Sequence, residues 1–245
     1  MSSKDYPPVL ILAGGLATRL AGLNLGIPKA LVPFSGRAFI EWKIESLRLQ
    51  GLNRFILCLG HGSEAICEHL GQAGILEQVE IVHDTQPNGG TGRAVRDAFP
   101  TNISEVFVTY GDNLTFCDPA RLVSESLTHS ASALAIEESN RPDLPNGNVK
   151  FLRDSLVRYS SASTEAMPFV DHGILLLRHE DLMLATKTLG PGGSAKLESV
   201  LGHISAGERL VGVKTDRRYL EFGNEASYMQ AQRDFSSYYE KYVHH

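Results

Sequence analysis

Cysteine is scarce: Cys58, Cys67 and Cys117 are the only three in 245 residues, and no two form a C-x-x-C pair. An odd count in unrelated contexts builds neither a disulfide framework nor a zinc site, and it fits a reducing cytoplasm. Long apolar runs are missing as well. Met1 to Pro8 is polar and prolyl, and the apolar run after it, Val9 to Ala13, is far too short for a signal-peptide core or a membrane span. Positive charge is in short supply, with 23 Lys and Arg against 28 Asp and Glu and a net charge of -5. That balance argues against a nucleic-acid or anionic-membrane surface, which carries a basic stripe. No low-complexity tract or internal repeat occurs, and no hexapeptide array that would build a left-handed β-helix follows residue 230. His244-His245 reads as a purification-tag stub and is set aside. The expectation is one domain over residues 1–245, cytoplasmic, with neither nucleic acid nor membrane as partner.

One absence is local. Tyr6 through Ile40 contains no Asp or Glu, where an even spread of 28 acids over 245 residues would place about four, and it carries Arg19, Lys29 and Arg37. A segment of charge +3 in a chain of -5 has room for a small polyanion.

Val9-Leu-Ile-Leu-Ala13 ends at Gly14-Gly15 and reads as a strand buried on both faces, which implies a parallel sheet. The rhythm repeats. A helix is expected over Phe39–Gln50, closed by Gly51, and a strand over Phe55–Leu59, closed by Gly60. A helix over Ser63–Leu70 follows, with Ser63 as N-cap, then a strand over Val79–Val82, a helix over Arg93–Phe99 and a strand over Val106–Tyr110. Strand alternating with helix predicts a doubly wound, Rossmann-like α/β sheet with helices on both faces. After Ala131 the strand-like pieces Leu134–Ile136, Val149–Phe151, Leu156–Tyr159 and Phe169–Leu177 have few helical stretches between them. They predict completion of a mixed sheet plus a small antiparallel substrate-side insertion. The expected division is a nucleotide half over about 8–130, an acceptor half over about 131–225 and a last helix over about 226–240.

The loop after the first strand reads Gly14-Gly15-Leu16-Ala17-Thr18-Arg19-Leu20, with Pro28-Lys29 following. Glycines just past a buried strand let backbone N–H groups approach a phosphate. Leu16 and Arg19 stand where a dinucleotide fingerprint needs glycine, and the G-K-[ST] of a P-loop is absent. The motif resembles the opening of the sugar-1-phosphate nucleotidyltransferases, the NDP-sugar pyrophosphorylases, and is similar in style to heptose-1-phosphate guanylyltransferases and glucose-1-phosphate cytidylyltransferases. Further pieces fall in family order over residues 9–230. Gln86-Pro-Asn-Gly-Gly-Thr-Gly92 resembles the nucleobase loop, Tyr110-Gly111-Asp112 the metal aspartate, and Phe169-Val-Asp-His-Gly173 the sugar-side strand. Tyr219-Leu-Glu221-Phe-Gly223 resembles the segment that brings a second metal carboxylate, usually Asp where this chain has Glu221.

The resemblance implies a nucleotide-diphospho-sugar transferase fold and Mg²⁺-assisted attack of a sugar 1-phosphate on the α-phosphate of an NTP, for a heptose or hexose. It implies Arg19 on the leaving pyrophosphate and Lys29 on the α-phosphate or the attacking phosphate. Leu12, Ala13, Gly14, Gly15, Thr18, Gln86, Gly90, Thr91 and Gly111 would line the nucleotide, and Asp112 and Glu221 would hold Mg²⁺. Asp171 and Gly173 would face the acceptor. The Glu-Lys-Pro of many relatives is replaced by Ser160-Ser161-Ala162, so Lys150, Arg158 or Arg153 must substitute for its lysine, or the acceptor phosphate sits differently. That departure leaves a non-sugar acceptor such as phosphocholine or a phosphonate, and a catalytically silent nucleotide-sugar sensor, as alternatives. Relatives are commonly dimers or tetramers, which implies a homo-oligomer. Arg93 is open between a phosphate contact and a cover over the base loop. His61 and His172 lack a nucleophile spaced for a triad and are read as structural or loop histidines; Cys58 and Cys67 are read as core, and Trp42 as core or interface, not a stacking platform.

Overall fold

Val9–Leu12 forms strand β1 in the computed structural model, which describes residues 5–15, 26–84, 86, 89–139, 147–160, 167–187, 193–217, 220–221 and 225–243. Short strands β2 (Pro33–Phe34) and β3 (Arg37–Ala38) form a hairpin leading into helix α1 (Phe39–Leu49). Then come β4 (Phe55–Leu59), α2 (Ser63–Gln72), β5 (Val79–His83), α3 (Thr91–Ala98), β6 (Glu105–Tyr110), β7 (Asn113–Leu114) and α4 (Pro119–His129). The remainder is β8 (Ser132–Glu138), β9 (Val149–Arg153), β10 (Leu156–Tyr159), β11 (Phe169–Arg178), α5 (His179–Ala185), α6 (Leu197–Ala206), β12 (Leu210–Lys214), β13 (Leu220–Glu221) and α7 (Glu225–Val243).

Among the described residues nine strands make one sheet in the order β5-β4-β1-β6-β11-β8-β12-β10-β9. The first four are parallel, β11 runs against both β6 and β8, and β12 is parallel to β8. The expected mixed doubly wound sheet is present. The β9–β10 hairpin is no separate insertion: β10 pairs antiparallel with β12, and β9 also touches β11 at Phe169 and Val149. Strand alternation sorts the core. Val9, Ile11 and Phe107 face Ile40, Ile44, Ile66 and Leu122 of α1, α2 and α4, whereas Leu10, Val106 and Val108 face Val95, Leu182, Val200 and Leu201 of α3, α5 and α6.

Two local expectations change. Ser63 is the first residue of α2, and Gly62 is its N-cap in the left-handed region at φ +75. A Cβ at Gly62 would press on the ring of Pro28, so glycine is required there twice over. Helices α5 and α6 occupy a region read as mostly strand, although Leu197, Val200, Leu201 and Ile204 repeat at helical spacing and all are buried. Trp42 is partly buried and packs against the core cluster of Phe34, Phe39 and Phe235: its Nε1 donates to Phe34 O at 2.7 Å, and its ring meets Phe235 and Tyr239 of α7 edge-on. Among the described residues no helix is long and apolar enough to cross a membrane.

Candidate active site

Strand β1 has β4 on one side and β6 on the other, so its carboxyl end lies at the point where the sheet's winding reverses, the place where open α/β sheets leave a crevice. Backbones crowd there. Gly111 N–H donates to Leu12 O at 2.9 Å, and a Cβ on Gly111 would lie 3.0 Å from that oxygen; one on Gly14 would lie 2.8 Å from Gly60 N. These two glycines let three strand ends converge. Gly15 is exposed and open, and its carbonyl accepts from Lys29 N–H at 3.1 Å, returning the chain to β1 after the loop. Thr18 and Arg19 lie outside the described residues, as do Leu16, Ala17 and Leu20.

Lys29 and Asp112, far apart in sequence, meet as an ion pair at 2.6 Å, with side chains 17% and 30% exposed. Glu221 arrives from the far end of the chain: β13 pairs antiparallel with β7, setting Glu221 opposite Asn113, the residue after Asp112. Both carboxylates contribute to holding the Tyr110 phenol well above its ordinary range, behind burial and Asp171. No group of three or more His, Cys, Asp or Glu among the described residues could hold a metal ion. Two carboxylates leave most positions around a cation to phosphate oxygens and water, a donor set that fits Mg²⁺ and suits no thiolate- or imidazole-seeking metal.

Beneath this pair lies Lys43, which the sequence reading did not single out. It is fully buried in α1 and donates to Thr109 Oγ1 and Asn113 Oδ1, each at 2.8 Å. Burial pushes its ammonium down to about 7, against the pull of Asp112. The signal was present: Lys43 falls in the apolar stripe Ile40, Ile44, Leu47, where a charge has no place in a plain core helix.

The segment after β5 is tied to the second half of the chain. Gln86 is exposed, with its N–H on Asp84 Oδ1 at 2.8 Å, and its carbonyl accepts from Gly89 N–H at 2.7 Å. Gly92 N–H donates to Ala195 O, Ala195 N–H to Gly89 O, and Leu197 N–H to Thr91 Oγ1, all at 2.8 Å. The Thr91 hydroxyl thus serves the start of α6, and Gly90, at φ +79, faces the Ala195 carbonyl with no room for a side chain. Arg93 is buried, bonded to Asp97 and to Gly193 O at 3.2 Å, so it braces the loop.

On β11, where the acceptor was expected, Asp171 Oδ1 accepts from Gly173 N–H at 2.7 Å, and Tyr159 OH donates to Oδ2 at 3.4 Å. Burial pushes the Asp171 carboxyl up to about 6, the two hydrogen bonds oppose the rise, and Glu198 on α6 adds to it. Gly173 has φ +78, and a Cβ there would collide with the Asn113 amide, so β11 and the turn after Asp112 touch. Lys150 and Arg158 are register partners in the hairpin; alternation puts them on the face opposite Tyr159, away from its contact with Asp171. Arg153 is engaged at the other end of β9 by Glu208, and Ser161 and Ala162 lie outside the described residues.

A stability prediction follows from Asp171. A carboxyl whose folded value lies above its unfolded value binds more protons in the folded state, so ionising it costs stability as pH rises from about 4 through 6. Asp171→Asn is expected to be more stable than wild type above pH 7 by about 1–3 kcal/mol and to lose that advantage below about pH 4. Urea unfolding at both pH values checks it, and equal stabilities at pH 7.5 would contradict it.

The remaining candidates are structural. His172 is buried with Nε2 3.1 Å from Phe116 O and Nδ1 3.4 Å from Glu137. Burial pushes the thiols of Cys58 and Cys117 up to about 11 and about 12, unsuited to nucleophilic roles.

A family model for the MobA-like NTP transferase domain matches residues 9–181. D-glycero-alpha-D-manno-heptose 1-phosphate guanylyltransferase of Campylobacter jejuni is 27% identical over 168 residues, 69% of this chain and 74% of that protein. The bifunctional protein GlmU of Cellvibrio japonicus is 28% identical over 216 residues, 84% of this chain but 45% of its own length, so this chain spans less than half of it. The crystal structure of HddC from Yersinia pseudotuberculosis complexed with GMP-PN superposes with a TM-score of 0.75 at 22% identity, over 94% of this chain and 99% of that one. The fold is shared across that distance.

Proposed function

The chain belongs to the MobA-like NTP transferase family, and on that premise we propose that it joins an NTP to a sugar 1-phosphate, forming an NDP-sugar and releasing pyrophosphate. One observation carries the reading: a lysine and an aspartate meet at the carboxyl ends of β1 and β6, with the second carboxylate one strand pairing away. A heptose or hexose 1-phosphate is the acceptor and guanine the first base to try, on the strength of the Campylobacter relative. Asp171, braced by Tyr159, is assigned to the acceptor's hydroxyls.

The chemistry is in-line displacement. A phosphate oxygen of the acceptor attacks the α-phosphorus, the bond from that phosphorus to the bridging oxygen of the β-phosphate breaks, and pyrophosphate departs with the electron pair. Both reactants are polyanions, so positioning and neutralisation supply most of the acceleration. Lys29, moving off Asp112, brings a point charge to the α-phosphate, and Arg19 is assigned the leaving pyrophosphate through its planar fork. The open backbone at Gly15 admits phosphate without a side chain in the way. Asp112 and Glu221 would hold Mg²⁺, which supplies charge neutralisation on the phosphates when bound. Thr18 is assigned the nucleotide, with the backbone of Leu12, Ala13, Gly90 and Gly111, and Gln86 the base. Lys150 and Arg158, on the far face of their hairpin, are weaker holders of the acceptor phosphate than the sequence alone suggested. A homo-oligomer working in the cytoplasm and supplying surface polysaccharide completes the proposal.

The test is a pyrophosphate-release screen of the four NTPs against heptose, hexose and hexosamine 1-phosphates with Mg²⁺, phosphocholine included. Release with at least one sugar 1-phosphate, and its dependence on both substrates, is the expected outcome. Release with phosphocholine alone, or with none, rejects the sugar reading.

A further inference from the structure

A charge buried in a helix stripe that apolar side chains would fill more cheaply calls for a reason. Lys43 spends its ammonium on two neutral oxygens, Thr109 Oγ1 and Asn113 Oδ1, each at 2.8 Å. Those two residues bracket Tyr110-Gly111-Asp112, the end of β6 and the turn that presents the carboxylate. The connections run on in both directions. Thr109 Oγ1, accepting from Lys43, donates its own proton to Gly173 O on β11 at 2.7 Å, two residues from Asp171. Asn113 is the residue that Glu221 faces in the β7–β13 pairing. One buried ammonium on α1 thus joins the carriers of both carboxylates to the acceptor-side strand.

We infer that Lys43 is a positioning residue for Asp112, clamping the two ends of its turn so that the carboxylate is held for a divalent cation and in register with the acceptor strand. The inference rests on the reading of Asp112 as a metal ligand. Lys43 reaches neither substrate nor metal itself; it acts through Thr109 and Asn113. Partners of this kind, behind a ligand, are worth about 10- to 100-fold in metal affinity or activity. A lysine kept only for packing would leave both unchanged when replaced by an apolar side chain of its own length.

The experiment uses the full chain with Lys43→Met, Thr109→Val and Asp112→Asn. Binding of Mn²⁺ alone is followed by electron paramagnetic resonance, beside kcat, KM and thermal unfolding. Lys43→Met is expected to fold, to weaken Mn²⁺ binding about 10-fold or more and to lower kcat by a similar factor, with KM for the NTP within about threefold. Thr109→Val, which keeps the lysine and removes one of its acceptors, is expected to move both in the same direction by about 3- to 10-fold. The double variant is expected to lose little beyond Lys43→Met, because the two act as one unit. Wild-type Mn²⁺ affinity and kcat in folded Lys43→Met overturn the inference. If that variant does not fold, the same result in Thr109→Val overturns it. Asp112→Asn separates the premise: Mn²⁺ affinity unchanged there removes the metal assignment itself, whereas affinity lost there but kept in Lys43→Met removes the clamp alone.

Discussion

Asp112→Asn is expected to lower kcat/KM about 10³-fold while leaving the fold in place. A loss of that size is about 4 kcal/mol of transition-state stabilisation, the scale of a metal-ligating carboxylate facing phosphates in a partly closed site. Asparagine keeps the shape and one oxygen, so β6, and β7 with its pairing to β13, persist. The variant also loses the ion pair with Lys29, whose side chains are 17% and 30% exposed, a loss on the order of 1 kcal/mol while both groups keep contact with water. The thermal midpoint therefore stays close to wild type while turnover collapses. Steady-state kinetics at saturating Mg²⁺ beside calorimetry make the measurement, and activity within threefold of wild type would remove Asp112 from the chemistry.

Lys29→Met is expected to cost about 10²-fold in kcat/KM, with most of the loss in kcat. Its side chain leaves a backbone held in place: Lys29 N–H bonds to Gly15 O where the short 3-10 turn Lys29–Leu31 begins. The side chain then spans to Asp112. In the proposed reaction, phosphates and a cation entering the crevice would compete for both members of that pair, freeing the lysine for substrate and the carboxylate for the cation. Lys29→Arg is expected to recover less than a tenth of the lost activity, because a planar fork cannot replace a compact point charge at this spot. Wild-type kcat in Lys29→Met would show that the pair is a strut and no more. In the double variant with Asp112→Asn the losses should fall well short of additive, since each residue's task presumes the other's.

How much of this was legible varies with the range of the interaction. Val9–Leu12 and Phe55–Leu59 are apolar on every position, so their burial in a parallel sheet followed from composition alone. Gly111 stood out only as part of a motif; the reason for it, a Leu12 carbonyl 3.0 Å from where a Cβ would be, is a contact between strands that sequence order hides. The pairing of Glu221 with Asn113 is two residues long and spans more than a hundred, so no local pattern could announce it, and the family resemblance alone pointed to Glu221. Thr91 and the glycines around it read as a nucleotide loop, yet the structure also spends them on α6, which the strand-like texture of the second half concealed. Lys43 could have been found, since a lysine at a core position of an amphipathic helix is a local conflict, and such conflicts concentrate at functional sites.

The claim at the centre is attack by the acceptor's phosphate on the α-phosphorus, and an oxygen label tests it most directly. The NTP and sugar 1-phosphate selected by the screen are combined with Mg²⁺, the sugar's phosphate carrying ¹⁸O at its non-bridging positions, and the products are read by ³¹P resonance and mass spectrometry. The account predicts that all of the label stays in the NDP-sugar, part of it in the new bridge, and that the pyrophosphate carries none. Label in pyrophosphate or inorganic phosphate, or NTP consumed without any labelled diphosphate sugar, would contradict it.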